Sequence, residues 1–143
     1  MNPVSMLVIV ASLSPDLEAW FPGEVPTIIE ACRANGIGED DVKLQAIVFS
    51  IRKAEHGRPG IEFGVLHPRA KDQPNSLRVQ AGWCAATVRK NHTRWIRAGK
   101  PGEFIEFLGN RYCPVGADND NGTNRHWIGN VKWWSEKIRK VDQ

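Results

Sequence analysis

Apolar positions in this chain recur mostly at helical spacing. The clearest case lies between Asp41 and Glu55, where apolar residues three or four positions apart predict a central amphipathic helix: Leu44, Ile47, Val48 and Ile51. Acidic residues just before this helix favour a start there, because the N-terminal end of a helix carries partial positive charge. Gly57 is well placed to end the helix.

Proline, glycine and capping residues delimit the other predicted elements. Helices are predicted over Val25–Asn35, from Ser76 to about Ala98, from Pro101 to about Asn110, and over Asn124–Ile138. Ser76 and Asn124 are expected to cap two of these helices. Gly60–Leu66 is too short for a helix and is predicted to be an extended or β segment, and the apolar run Val4–Leu13 is predicted to be a strand or a helix start.

Together these elements predict an α+β fold that is mainly α, with a small β element beside the helices. The last helix carries an apolar stripe, most of which should be core: Trp127, Ile128, Val131, Trp134 and Ile138. A chain of 143 residues has room for one core, so residues 1–143 are expected to form a single domain with 1–24 as an N-terminal lead-in. A monomer is expected.

Composition argues against several classes of protein. An apolar fraction of 41% and a charged fraction of 24% are typical of a globular domain and not of a disordered chain. The longest apolar run is about half the length of a bilayer span and no basic residue precedes it, so neither a membrane span nor a clear signal peptide is expected. Cys32, Cys84 and Cys113 lack metal-ligand spacing and are expected to be reduced core residues, so that no metal site and no cofactor is predicted.

Charge is distributed unevenly along the chain. The net charge is −5 over residues 1–50, +8 over 51–100 and 0 over 101–143. Between Asp72 and Glu103 every charged side chain is basic, and Trp83 and Trp95 lie among them. Such a segment attracts polyanions, including nucleic acids and anionic wall polymers, although a solvated helix face has the same pattern.

Glu55 is the main candidate for chemistry. It lies four residues after Ile51 and seven after Val48, which places it on the apolar face at the C-terminal end of the central helix. Loss of hydration and the helix dipole should both raise its pKa, so that it stays protonated as a general acid for a glycosidic bond requires. The alternative is a glutamate that reaches solvent or pairs with Arg52 or Arg58.

Two stretches carry a resemblance to a known family. Ala46–Gly57, with its closing Glu55, followed by Glu62-Phe63-Gly64-Val65, resembles the catalytic region of lysozyme-superfamily peptidoglycan hydrolases. It is most similar to bacterial and phage glucosaminidase-type enzymes, in which a helix-ending glutamate precedes Asn-x-Phe-Gly-Ile. Later, Phe104–Leu108, Arg111–Pro114 and Trp127–Val131 are similar to the family's tyrosine motif before a final helix, with Thr-Asp-Pro reduced to Cys113-Pro114.

The resemblance implies an α-rich lysozyme-like fold and cleavage of the aminosugar backbone of peptidoglycan. It implies Glu55 as the acid and Tyr112 as a hydroxyl that orients substrate or stabilises positive charge. A second carboxylate remains open among four residues, with Glu62 slightly favoured: Glu62, Asp72, Asp118 and Asp120. Chemistry with one carboxylate is also allowed, and a muramidase, a glucosaminidase and a lytic transglycosylase are all compatible with the resemblance.

Five residues are candidate substrate contacts. His56 adjoins the acid, Phe63 and Gly64 form the Phe-Gly element, Gln80 has an amide that suits sugar hydroxyls and acetamides, and Trp83 has an aromatic face that suits sugar rings.

The expected partner is the glycan strand of peptidoglycan. The expected protein is a phage endolysin, a virion-associated wall enzyme or a related bacterial protein. It is expected in the cytoplasm of an infected host before release, or on the virion, and to act on the cell wall. Two alternatives remain. One is a basic nucleic-acid-binding module that uses Arg78–Lys100, and the other is a catalytically inactive wall-binding or virion protein.

Overall fold

Six helices and one short antiparallel sheet make up the part of the chain that the computed structural model describes, residues 11–112 and 124–141. In chain order they are β1 (Ala11–Leu13), α1 (Leu17–Trp20), α2 (Val25–Ala34), α3 (Val42–Glu55), α4 (Ser76–Arg97), α5 (Phe104–Tyr112), α6 (Asn124–Ile138) and β2 (Arg139–Val141). The protein is therefore mainly α, as the spacing of apolar residues predicted. The five longer helices follow the predicted ones closely, while the single turn α1 was not predicted.

Helix α3 forms the centre of the core and is buried on nearly all sides. Over its first ten residues only Lys43 is exposed, because α2, α4 and α6 all pack around it. Two polar side chains within it are satisfied locally: Gln45 donates to the carbonyl of Gly38 at 2.9 Å, and Ser50 donates to the carbonyl of Ala46 at 2.6 Å. The predicted amphipathic helix is thus a core helix, and only its last turn approaches solvent.

Helix α6 lies against α3 over most of its length. Trp127, Val131 and Ile138 are buried, and Ile128 and Trp134 are partly buried against the same core. The predicted apolar stripe is therefore confirmed, and it brings the first turn of α6 to the last turn of α3.

The sheet does not lie where the sequence predicted it. Strand β1 pairs antiparallel with β2, with Leu13 opposite Arg139. Of the apolar run Val4–Leu13 the structure describes residues 11–13, and these form a strand, one of the two predicted alternatives. Gly60–Leu66, predicted to be an extended or β segment, forms no strand, because turns and a bend occupy residues 60 and 62–64. Several of its backbone groups bond to the side chains of Arg52 and Gln80, and these contacts replace a neighbouring strand.

Two helix ends also differ from the prediction. Helix α3 ends at Glu55, and the residue that caps it in a left-handed conformation is His56, with φ of 47°, and not the following glycine. Ser76 begins α4 but caps nothing, since its hydroxyl donates to the carboxylate of Glu62 at 2.8 Å.

Cys32 and Cys84 are buried and have free thiols, as predicted, whereas Cys113 lies outside the described residues. Among the residues that the structure describes, no helix is both long and apolar enough to cross a membrane. In the same part of the chain, no three His, Cys, Asp or Glu side chains lie together in a way that could hold a metal ion.

The contact between α5 and α6 depends on a glycine. A Cβ added at Gly109 would lie 2.5 Å from Cγ1 of Ile128 and 3.4 Å from the Trp127 ring. We expect Gly109→Ala to lower the free energy of unfolding by about 1 to 3 kcal/mol, because overpacking forces the two helices apart. Urea denaturation measures this change.

Gly129→Ala is the matched control. Gly129 also lies inside a helix, but a Cβ there would meet nothing within 4 Å. This variant should be more stable by about 0.5 to 1 kcal/mol, because alanine loses less backbone entropy in a helix. Equal effects of the two substitutions would contradict the packing described here.

Candidate active site

Glu55 is the last residue of α3, and its carboxyl group is only partly exposed. Its Oε2 accepts a hydrogen bond from Nε1 of Trp127 at 3.0 Å, and its Oε1 lies against Gly64. The carboxyl group is therefore held between the first turn of α6 and the loop that follows α3.

Neither nearby arginine neutralises Glu55. Arg52 binds Glu24 through two N–H groups, at 2.9 and 3.1 Å, and Arg58 binds Asp72 at 3.0 Å. This arrangement excludes the alternative in which Glu55 is one half of an ion pair with Arg52 or Arg58.

Burial raises the pKa of Glu55 above the ordinary glutamate value, because the ionised form loses hydration. The hydrogen bond from Trp127 acts in the opposite direction, since an N–H donor stabilises the carboxylate. Burial is the larger of the two effects, so Glu55 keeps its proton to a higher pH than an exposed glutamate does.

Gly64 is required by two separate constraints. Its φ is 74°, a conformation that residues with a side chain rarely adopt, and a Cβ at this position would overlap Oε1 of Glu55. The Phe-Gly element of the sequence therefore lies directly beside the candidate acid.

A groove of about 270 Å³ opens next to this carboxyl group. Its lining residues are mostly apolar or aromatic, and we call it the Trp83 groove: Phe63, Gly64, Val65, Trp83, Cys84, Thr87, Arg111 and Tyr112. Glu55 borders the groove behind Gly64 and does not line it. Tyr112 stacks on Trp127 with ring centroids 5.1 Å apart, which joins the groove wall to the residue that binds Glu55.

Gln80 holds the loop that carries the Phe-Gly element. Its amide oxygen accepts hydrogen bonds from the backbone N–H groups of Phe63 and Val65, both at 3.1 Å. Its amide nitrogen lies within hydrogen-bonding distance of three carbonyls, those of Gly60 at 3.1 Å, Val65 at 2.8 Å and Ala70 at 3.3 Å. Because Gln80 is fully buried, the structure makes it a clamp on the loop and not the substrate contact that the sequence suggested.

Glu62, the favoured candidate for a second carboxylate, does not line the groove. It is 6% exposed, and its Oε2 accepts the hydrogen bond from Ser76 at the start of α4. Its Oε1 has no hydrogen-bond partner among the described residues. Asp72 is exposed and bound to Arg58, while Asp118 and Asp120 lie outside the described residues.

The remaining predicted contacts divide between two surfaces. Phe63 and Trp83 line the groove, Phe63 as a buried floor and Trp83 as a wall that is 39% exposed. The carbonyl of Phe63 also accepts a long hydrogen bond, 3.4 Å, from the hydroxyl of Tyr112. His56 is exposed and lines a different cavity with Trp20, so the structure does not bring it into the groove.

Sequence reasoning missed three residues of this site. Trp127 was assigned only to the core, yet the N–H group of a buried tryptophan usually needs an acceptor, and here the acceptor is Glu55. Arg111 adjoins the predicted Tyr112, and Thr87 lies four residues after Trp83 on α4. The one-turn spacing from Trp83 was a usable signal for Thr87.

A larger cavity lies elsewhere. It measures about 520 Å³, lies at the other end of α3, and is lined by none of the predicted site residues. Two of its acidic residues already face cations: Glu103 binds Lys132 at 2.8 Å, and Asp41 lies 3.7 Å from Arg89. We therefore place the candidate chemistry at the smaller groove, which adjoins a carboxyl group that is in no ion pair among the described residues.

The site combines a carboxyl group of raised pKa with an aromatic groove. Cys84 is not a nucleophile, because burial raises the pKa of its thiol well above the usual range and keeps it protonated. Comparison of the chain with protein-family models, curated proteins and solved structures finds no match.

Replacement of Gln80 tests the clamp. Gln80→Leu leaves two buried N–H groups and several carbonyls of the loop without partners, so we expect the free energy of unfolding to fall by about 2 to 4 kcal/mol. Urea denaturation measures the loss. Gln73→Leu is the control, because Gln73 bonds carbonyls of the same loop from an exposed position. A similar loss in both variants would contradict the clamp.

Replacement of Trp127 tests the environment of Glu55. Trp127→Phe keeps an aromatic ring but removes the N–H donor that stabilises the carboxylate, so the pKa of Glu55 should rise further. NMR titration of the Glu55 side-chain carboxyl in both proteins measures the change. A lower pKa in the variant would contradict the assignment.

The same pKa determines how stability depends on pH. A glutamate with a raised folded pKa contributes stability that is present below its unfolded pKa and is lost as pH rises through its folded pKa. Glu55→Gln should therefore gain stability relative to wild type over that pH range, and denaturation curves at a series of pH values provide the check.

Proposed function

We propose that this protein cleaves the aminosugar backbone of peptidoglycan, with Glu55 as the general acid. The observation that carries the proposal is a partly buried carboxyl group at the end of a core helix, which borders an aromatic groove and which no arginine among the described side chains neutralises. A lysozyme-like fold is part of the proposal, because the helix-ending glutamate and the Phe-Gly element lie together as the resemblance implies.

In the proposed reaction the proton of Glu55 moves to the glycosidic oxygen as the bond from that oxygen to the anomeric carbon breaks. A raised pKa suits this step, since the acid must enter it protonated. The alcohol leaves with the proton, and Glu55 becomes a carboxylate beside a positively charged sugar ring.

The attacking group is proposed to come from the substrate itself. Among the described residues no carboxylate lines the Trp83 groove, so Glu55, which touches the lining residue Gly64, is the one placed beside it; this favours attack on the anomeric carbon by the acetamido oxygen or a hydroxyl of the same sugar. A hydroxyl that attacks returns its proton to Glu55 and leaves an anhydro sugar. An acetamido oxygen forms a cyclic intermediate, which water then opens as Glu55 accepts the proton of that water.

Tyr112 and Trp83 are proposed to position the sugar. Trp83 offers an exposed aromatic face in the groove wall, and aromatic faces pack well against sugar rings. Tyr112 is held by stacking on Trp127, so its ring has a defined position beside the candidate acid.

The nucleic-acid alternative is supported by a different surface. Four basic side chains along α4 are exposed and are in no ion pair within the described part of the chain: Arg78, Lys90, Arg94 and Arg97. This alternative predicts strongly salt-dependent binding of polynucleotides and no effect of Glu55→Gln.

A zymogram on purified bacterial cell walls tests the proposed activity. Wild type should clear the wall, and Glu55→Gln should lower the rate by roughly 100-fold to 10,000-fold, because it removes the proton donor while keeping the shape of the side chain. Glu30→Gln is the control, since Glu30 is an exposed partner of Arg33 on α2 and should leave clearing unchanged.

Mass spectrometry of the products distinguishes hydrolysis, which yields reducing ends, from transglycosylation, which yields anhydro sugars. Clearing that survives Glu55→Gln would overturn the assignment of the acid. Sedimentation with walls without any released product would support the inactive wall-binding alternative.

A further inference from the structure

We propose that Arg111 binds a carboxylate group carried by the substrate, so that the Trp83 groove selects acid-bearing aminosugar strands over neutral ones. This inference rests on the proposed function, because it specifies which strand the same groove accepts. Arg111 would act as a specificity residue and would take no part in proton transfer.

The position of Arg111 is the first observation. It lies in the last turn of α5, is exposed, and lines the groove with Trp83 and Thr87. Its guanidinium carbon lies 5.1 Å from the centre of the Phe107 ring, one helical turn earlier. This cation–π contact supports the side chain from below and leaves its N–H groups available to a ligand.

The charge around Arg111 is the second observation. It is the only charged residue that lines the groove, and no ion pair or hydrogen bond joins it to another residue in the described ranges 11–112 and 124–141. Arg52 and Arg58, by contrast, both bind carboxylates of the protein. Within the described residues, the groove therefore presents one guanidinium that no protein group neutralises and that a ligand carboxylate could bind.

The chemistry of that partner follows from the geometry of arginine. A guanidinium binds a carboxylate through two parallel N–H···O bonds, which a neutral hydroxyl or acetamide does not match. In peptidoglycan a carboxylate can come from the lactyl group of a peptide-free muramic acid or from a stem peptide, whereas chitin has neither.

Binding measurements in the Glu55→Gln background test the inference without turnover. The three ligands are chitin oligosaccharides, peptide-free glycan strands with free lactyl carboxylates, and peptide-bearing strands. In the last, the lactyl carboxyl group forms the amide bond to the stem peptide, so that only the peptide carries carboxylates. Arg111→Gln should weaken binding of at least one acid-bearing strand by roughly 10-fold to 100-fold, the usual value of a charged hydrogen bond, and should change chitin binding less than 2-fold. Arg111→Lys should weaken binding of the acid-bearing strand less than Arg111→Gln does, because lysine keeps the charge but cannot form two parallel hydrogen bonds.

Arg78→Gln is the matched control, since Arg78 is exposed on α4 and does not line the groove. A loss confined to peptide-free strands identifies the lactyl group, and a loss confined to peptide-bearing strands identifies the stem peptide. Equal losses for chitin and for acid-bearing strands, no loss for any ligand, or no binding of any strand would each overturn the inference. Cleavage by wild type is measured separately by product release, so failure of the proposed activity is distinguishable from failure of this binding role.

Discussion

The candidate site depends on how one carboxyl group is held at the end of a core helix. Among the described residues, Glu55 has a single N–H donor, from Trp127, and is in no ion pair. Helix α3 is buried along most of its length, so its last turn emerges from the core at the edge of the groove. A residue at that point is close enough to solvent to meet a ligand and dry enough for burial to favour its protonated form.

The loop after α3 owes its shape to buried polar side chains. Gln80 bonds the backbone on both sides of Gly64, and Arg52 donates to the carbonyl of Glu62 while it also binds Glu24. Such contacts satisfy backbone groups that would otherwise require a neighbouring strand. They also place a residue without a side chain where the carboxyl group of Glu55 needs room. The same contacts therefore fix both the shape of the loop and the position of the Glu55 carboxyl group.

Charge is arranged differently at the two ends of α3. Around the large cavity at the N-terminal end, Asp41 faces Arg89 and Glu103 binds Lys132, so protein groups compensate each other. At the C-terminal end, Glu55 and Arg111 are in no ion pair among the described residues. Unpaired polar groups cost stability unless a ligand or water satisfies them, and this contrast favours the smaller groove as the functional surface.

The sequence alone determined the helices and the candidate acid. Apolar spacing predicted α3 and the buried face of α6, because burying an apolar face requires that spacing along the chain, and it placed Glu55 at the end of a helix. Proline, glycine and capping residues predicted α2, α4 and α5 to within a few residues. The sequence did not predict the turns of residues 60–66, the burial of Gln80, or the contact between Glu55 and Trp127. Those features arise from hydrogen bonds between residues far apart in the sequence. Phe63 and Gln80 are separated by 17 positions, and Glu55 and Trp127 by 72. Periodicity reports only local burial, so the tertiary packing of α4 and α6 decided which polar groups meet.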